Sequence, residues 1–328
     1  MLLAGIAVTD SVVYVVETQR ATLWLLRPGD LTPVRRAGRE GKGPGEWHPF
    51  GSASHGGSQR WVHASAAGVR LFDAQRIQEF RPDGRFRRLY LNAAQQAGIS
   101  PLQSRLAFVG DTLVYSSGGH DIFNSILRAG NMKDVRRDEL VGGRQLWFVR
   151  MRVGDDVRDV LQLGLVPLPP KVPVGPAQAR PLWDLHGTCV VASDGAEPLL
   201  VHASLGGGAQ DTVRVALPDR ADRAADYEGM MGGLLPPGTR LGEPTAATRV
   251  RDLIVDPDGY VWLRPVQPRG GLPEGMEVIR VPLGSGPAVT DTVPAFPRAF
   301  GGPGVYFAEE RGPDDELLVT RYDLRSGG

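Results

Sequence analysis

The chain has 328 residues, 41% of them hydrophobic, and a mean hydropathy of −0.18, which suits one large core under a water-facing surface. Thirty-seven lysines and arginines balance thirty-seven aspartates and glutamates, which argues against general nucleic-acid binding but leaves room for a local patch of one sign. The lone cysteine, Cys189, excludes an intrachain disulfide and a cysteine-based metal site, and no apolar run approaches the roughly 18 residues of a membrane span.

In chain order, the first element is expected from Leu3 to Val8, an apolar run that stops at Thr9-Asp10-Ser11 and returns as Val12 to Val16. The same unit, an apolar run, a turn and a β-branched or aromatic run, recurs five more times. The second reads from Gly51 through Gly56-Gly57-Ser58 to Arg60-Trp61-Val62-His63, and the third from Leu106 through Gly110-Asp111 to Tyr115. The fourth reads from Leu182 through His186-Gly187 to Val191, and the fifth from Leu253 through Asp256-Pro257-Asp258-Gly259 to Leu263. The sixth reads from Ala299 through Gly301-Gly302-Pro303-Gly304 to Phe307. The turns carry residues that tolerate positive φ, so each unit is a hairpin. Most hairpins are followed by two more strand-like runs, such as Leu23 to Leu26 and Val34 to Arg36.

Four short strands, six times over, predict an all-β fold: a six-bladed β-propeller with four-stranded antiparallel blades. The expected arrangement is one domain over 1–328, with blades near 2–36, 51–91, 104–163, 180–217, 249–293 and 296–324. Too few residues follow Leu317 to Tyr322 for another strand, so the native protein is expected to extend beyond Met1 at its N-terminus and lend one; otherwise the last blade is incomplete, with three strands. Such an extension is expected to carry an export signal and so to place the protein outside the cytoplasm, in the periplasm or secreted. The apolar opening itself has no basic leader and no cleavage site, and reads as a strand.

Arg39-Glu40-Gly41-Lys42-Gly43-Pro44-Gly45-Glu46-Trp47, followed by Pro49, resembles the linker between blades of NHL-type propellers. More closely, it is similar to the G-x-G-P-G-E-[FW] loop of a bacterial six-bladed β-propeller family. The stretch from Arg76 to Phe86 is similar to the third strand and turn of such repeats, and Pro297 to Gly301 with Tyr322-Asp323-Leu324 to the last blade. The resemblance implies the fold and an exported or membrane-anchored protein, and it implies no activity. A phosphate cradle is the rival reading of the glycine loop, but such cradles lead into a helix and none is expected here.

Long connections at 118–144, 164–179, 218–248 and 265–275 all fall on one face, the usual mark of a binding surface. Residues 221–235 hold enough helix formers for a short helix there. First strands begin at that face with or near Arg105, Arg180, Arg251 and Arg298, and second strands end there with Glu17, Ser117, Asp194, Arg264 and Glu309. Clustered guanidinium groups suit a carboxylate, sulfate or phosphate, which arginine grips in a two-pronged fashion. The competing reading has the same arginines paired with Glu17, Asp194, Glu309 or other acids, closing the channel structurally.

His120-Asp121 with Asn124 is the candidate catalytic group, since a His-Asp pair can serve as general base and orienting group. Trp47 is the aromatic expected to face a ligand, whereas Trp61 and Trp262 are expected to pack within blades. No motif supports a metal, although calcium held by acids and asparagines from several blades is conceivable in such a channel. The leading expectation is therefore a monomeric ligand- or partner-binding propeller, taking a small anionic ligand or another protein at the long-loop face and channel mouth, with no nucleic acid. The alternatives are a hydrolase or lyase acting there on a small anionic or carbohydrate substrate, and a repeat scaffold within a larger assembly.

Overall fold

The computed structural model describes residues 3–17, 20–47, 62–72, 77–91, 106–110, 112–116, 147–152, 158–162, 182–193, 195–207, 210–223, 247–268, 272, 275–314 and 316–324. Among these, strands dominate, and no helix is long and apolar enough to cross a membrane. Five antiparallel sheets have four strands in sequence order. Blade one is β1 (Leu3–Val8), β2 (Val13–Glu17), β3 (Thr22–Leu26) and β4 (Pro33–Ala37). A short parallel pair follows, β5 (Arg39–Glu40) and β6 (Glu46–Trp47). Blade two is β7 (Val62–Ser65), β8 (Gly68–Phe72), β9 (Ile77–Phe80) and β10 (Phe86–Leu91). Blade three is β11 (Leu106–Val109), β12 (Thr112–Ser116), β13 (Trp147–Arg152) and β14 (Arg158–Gln162). Blade four is β15 (Leu182–His186), β16 (Cys189–Ser193), β17 (Leu199–Ser204) and β18 (Gln210–Arg214). Blade five is β19 (Val250–Val255), β20 (Tyr260–Pro265), β21 (Met276–Pro282) and β22 (Val289–Val293). The last sheet has three strands, β23 (Pro297–Gly302), β24 (Val305–Arg311) and β25 (Leu317–Asp323).

The burial pattern explains why these runs are continuous rather than alternating. In β2 all five residues are buried, and β3 is nearly so, because each middle strand is covered on both faces by neighbouring sheets. The outermost strands β4 and β18 are mostly exposed. The packing runs sheet to sheet in a closed circuit. Ala7, Tyr14 and Leu23 pack on Val62, Val69 and Phe80, joining blades one and two. Blades two and three meet where the Arg70 guanidinium lies 4.6 Å from the centre of the Phe108 ring. Val114 packs with Trp183 and Val190, Val191 with Leu253 and Val261, and Trp262 with Phe296. The circuit closes where Phe307 and Ala299 pack on Ile6 and Val15, with β1 lying against both β7 and β23. A closed ring of twisted sheets is a β-propeller.

Two expectations need correction. Five blades have four strands, rather than six, and β25 ends the three-stranded sheet. The second repeat is also out of register: Val62–Ser65, expected to be second, is the inner strand, and the hairpin turns at residues 66–67. The sequence there is Ala66-Ala67-Gly68, two alanines with no turn-forming residue of their own, so Gly56-Gly57-Ser58 was the stronger signal. That glycine run lies outside the described residues, as do Trp61, the 118–144 connection and most of 221–235; residues 221–223 are not helical.

Candidate functional site

Three of the arginines expected at the channel mouth come together at the start of the inner strands of blade five and the last sheet. Arg251 donates to Asp222 from Nη2 at 2.6 Å and from Nε at 3.3 Å. Arg298 donates from Nη1 to Asp252 Oδ2 at 3.1 Å, and Arg264 Nη2 stands 3.4 Å from the same oxygen. Glu309 Oε2 lies 4.0 Å from Arg298 Nε. The two aspartates are sealed from water, at 0% and 2% exposure, whereas the arginine side chains retain 22–44%.

Local backbone geometry creates this convergence. Between Val250 and Asp252 the ladder with β20 slips by one residue, and the extra residue is Arg251. The ladder of β23 slips the same way between Pro297 and Ala299, and there the extra residue is Arg298. A β-bulge re-aims the side chain of its extra residue, and bulges collect beside functional sites. Asp252 is then held from behind by the Leu253 N–H on Oδ1 at 3.0 Å, leaving Oδ2 to the two guanidiniums. Asp222 is fixed by its N–H on Thr248 O at 2.8 Å, and Arg249 Nη2 pins the same connection through Pro218 O at 2.9 Å.

Electrostatically the cluster is crowded with cations. Burial pushes the Arg264 guanidinium below its usual range; Asp252 opposes that, and Arg298 and Arg251 add to it. Its Nε is buried without a hydrogen-bond partner among the described residues, and its plane lies 5.5 Å from the centre of the Phe296 ring. Arginine cannot give up a proton at ordinary pH, so the chemistry open to this set is to bind and orient an anion, not to move protons.

The remaining expected site residues divide into two groups. Arg105, His120, Asp121, Asn124, Arg180, Ser117 and Asp194 lie outside the described residues. Glu17 is buried in blade one, accepting the Trp24 Nε1–H at 3.3 Å and standing 3.6 Å from Arg20 Nε. Trp47 is a correction: it is fully buried between blades one and two, edge-on to Phe80, and offers no face to a ligand. Trp262 is a packing residue as expected, with its Nε1–H on Asp256 Oδ2 at 2.8 Å.

Asp222 and Asp252 were not singled out from sequence. The available signal was the repeat of Asp-Leu inside apolar inner strands, at Asp184-Leu185 and Asp252-Leu253. In both places one carboxylate oxygen accepts the next residue's N–H and the other ties to the following sheet, here Val255 N at 2.9 Å from Asp184. These buried acids are each engaged locally, and among the described residues no three His, Cys, Asp or Glu side chains are grouped to share an ion.

The glycine loop is filled by its own chain. Glu46 Oε2 accepts the Gly43 N–H at 2.8 Å, Arg39 Nη2 reaches Oε1 at 2.5 Å, and Gln78 bridges Gly45 N and Glu46 O. A carboxylate therefore occupies the place a phosphate would need. The Gly43 N–H, aided by Arg39, holds the Glu46 carboxyl below the usual glutamate range. A lowered folded value means stability present above the unfolded value and lost as pH falls through the folded one. Thermal melts between pH 6 and 3, referred to the ordinary glutamate value of about 4.3, should fall more steeply for the parent protein than for Glu46→Gln. Parallel curves would show that the loop gains nothing from the charge.

No family of known proteins matches the chain, and no curated protein is similar to it. Among solved structures it is similar to a streptogramin B lyase, at 12% identity over 98% of this chain and 83% of that one, with a TM-score of 0.42. It is also similar to virginiamycin B lyase from Staphylococcus aureus, at 11% identity, 98% and 84% coverage and a TM-score of 0.40. A chain of a nidogen/laminin complex gives 11% identity, 86% and 76% coverage and a TM-score of 0.43. Likenesses this distant carry no argument about what the chain binds or does.

Proposed function

We propose that this is a binding propeller, six-bladed when the three-stranded sheet is counted, in a single domain over 1–328, and that it holds a small anion at the start of β19 and β23. The observation that supports this is the convergence of Arg251, Arg264 and Arg298, solvent-reaching guanidiniums around sealed carboxylates, two of them on bulge positions. A carboxylate, sulfate or phosphate group matches their donor geometry. The extracytoplasmic location implied by the loop resemblance is part of the same proposal.

The test is a thermal-shift panel of uronic acids, sulfated and phosphorylated compounds, with calcium and a chelator alongside. A ligand at a hundredfold its dissociation constant adds about 2.7 kcal/mol of stability. The shift is expected with an anion and is expected to vanish in Arg251→Ala, which leaves both Asp252 pairs in place. No shift with any anion would remove the arginine site and turn attention to macromolecular partners.

A further inference from the structure

We propose that the outer edge of the last sheet takes an extended segment of a protein partner as its fourth strand, a segment apolar on one side and acidic on the other. Where the other sheets carry a fourth strand, this one ends at β25. Exposed edges are usually blunted by shortness, proline, lysine or bulges. β4 begins at Pro33 beside a bulge, and the register of β10 is interrupted between Phe86 and Arg88 and again between Leu89 and Leu91. β25 has none of these devices: Leu317–Asp323 runs in unbroken register with β24.

The ladder fixes which backbone groups this edge offers. The Leu324 N–H donates to Gly304 O and the Gly312 N–H to Glu316 O, both at 2.8 Å, so the even-numbered residues of β25 are the ones bonded to β24. Leu317, Val319 and Arg321 therefore turn their N–H and C=O groups outward, and among the described residues no strand pairs with them. The outer strands β4, β18 and β22 each pair antiparallel with the strand inside them. An incoming segment that did the same would bond to the main chain at Leu317, Val319 and Arg321.

The two sides of the edge differ, and they decide the class of partner. Tyr306 of β24 touches Trp262 and stacks on Tyr322, so Leu318 and Tyr322, which alternate with the outward-bonding residues, face blade five. Leu318 is exposed there. So are Val289, paired with the Arg280 that lies over Trp262, and Tyr260, on the same side of β20 as Trp262. On the opposite side Val319 packs with Phe307 and Trp24, facing blade one, and Arg321 stands opposite Phe307 in the ladder. Exposed Arg36 of β4 lies over Trp24, 5.6 Å from the ring centre, donates to Thr22 and has no carboxylate partner among the described residues. An added strand thus meets apolar side chains through one face and guanidiniums through the other, which suits alternating apolar and acidic residues. A second copy of the chain fits less well, because its own edge is recessed behind its β4 and β22.

The experiment measures fluorescence anisotropy of a labelled peptide alternating glutamate and valine, titrated with the full chain. Saturable binding is expected, weakening severalfold as salt screens the charges. Residues opposite Val319 and Arg321 both bond to β25 and point their side chains toward blade one, so the glutamates carry the bonding N–H groups. Methylating the glutamate nitrogens should therefore weaken binding by at least about tenfold, and methylating the valine nitrogens by much less. Val319→Pro removes an outward N–H and leaves the bonds to β24 in place, so it should abolish binding with the circular dichroism unchanged. Should that variant fail to fold, the methylated peptides decide. Arg36→Glu, and separately Val289→Ser with Leu318→Ser, should each weaken binding severalfold, whereas Arg214→Glu, exposed on blade four, should leave it unchanged. The proposal is overturned by absence of peptide binding, the result expected if the chain itself lends the fourth strand. It is equally overturned by undiminished binding of the glutamate-methylated peptide, or by a dimer in sedimentation that Val319→Pro disperses.

Discussion

Asp252→Ala is expected to destabilise the protein more than removal of any arginine that touches it. Asp252 is fully buried, and its Oδ2 lies within 3.1 Å of Arg298 Nη1 and 3.4 Å of Arg264 Nη2, while Oδ1 takes the Leu253 N–H. Removing it takes away the one carboxylate that stands between two guanidiniums, a loss of about 3–5 kcal/mol for a broken buried pair. Arg298→Ala leaves Arg264 on the same carboxylate, and the expected loss is about 1–3 kcal/mol, that of one charged hydrogen bond. Asp252→Asn keeps an acceptor for Leu253 N but loses the charge, and should fall between the two. Urea denaturation of the three variants at a common slope provides the comparison. An Asp252→Ala no weaker than Arg298→Ala would mean that the arginines are held by something other than this carboxylate.

This arrangement gives the cluster a structural role. Asp252 sits on blade five and Arg298 on the following sheet, so their bond ties neighbours in the ring, as Asp184 ties blade four to Val255. The structural reading weighed from sequence, in which the arginines pair with acids, therefore accounts for Asp252. It accounts less well for Arg251, which is 44% exposed and is gripped by an acid from a long connection instead of the ring itself. An anionic ligand would compete first at Arg251, which makes that side chain the one to replace when binding is to be lost and the fold kept.

Most of the architecture was legible because a propeller repeats its signal. Hairpins at Thr9-Asp10-Ser11, Gly110-Asp111 and Asp256 to Gly259 announce themselves through turn chemistry and flanking β-branched runs. Register failed at Val62 because a turn of two alanines before Gly68 carries no such chemistry. The candidate site was legible only in part. Arginine at the start of β19 and β23 could be read, because strand direction fixes which end of an inner strand meets which face. The bulges that turn Arg251 and Arg298 toward one centre could not, since a one-residue slip depends on the partner strand and leaves no mark on composition. Trp47 was misplaced for a related reason: its position after a glycine loop suggested exposure, and only tertiary packing on Phe80 shows that it belongs to the core.

The second large effect concerns that tryptophan and the glycine it covers. Gly38 has φ of +79°, and a Cβ built there would lie 2.0 Å from Trp47 Cη2, 2.4 Å from Cζ3 and 2.8 Å from Cζ2. These atoms belong to a side chain with no exposure, pinned against Phe80, so they have nowhere to go. Gly38→Ala should therefore cost about 1–3 kcal/mol of overpacking on top of about 1–2 kcal/mol for a non-glycine residue in the left-handed region. Trp47→Phe removes the colliding atoms and also a buried Nε1–H that has no partner among the described residues. The double variant should then be more stable than Gly38→Ala alone, recovering most of the overpacking cost and keeping the backbone one. Such a coupling of about 1–3 kcal/mol between touching residues is well within what a double-mutant cycle resolves. Were the double variant no more stable than Gly38→Ala, backbone strain alone would explain the glycine, and the indole would be a passive neighbour rather than the reason no side chain fits at position 38.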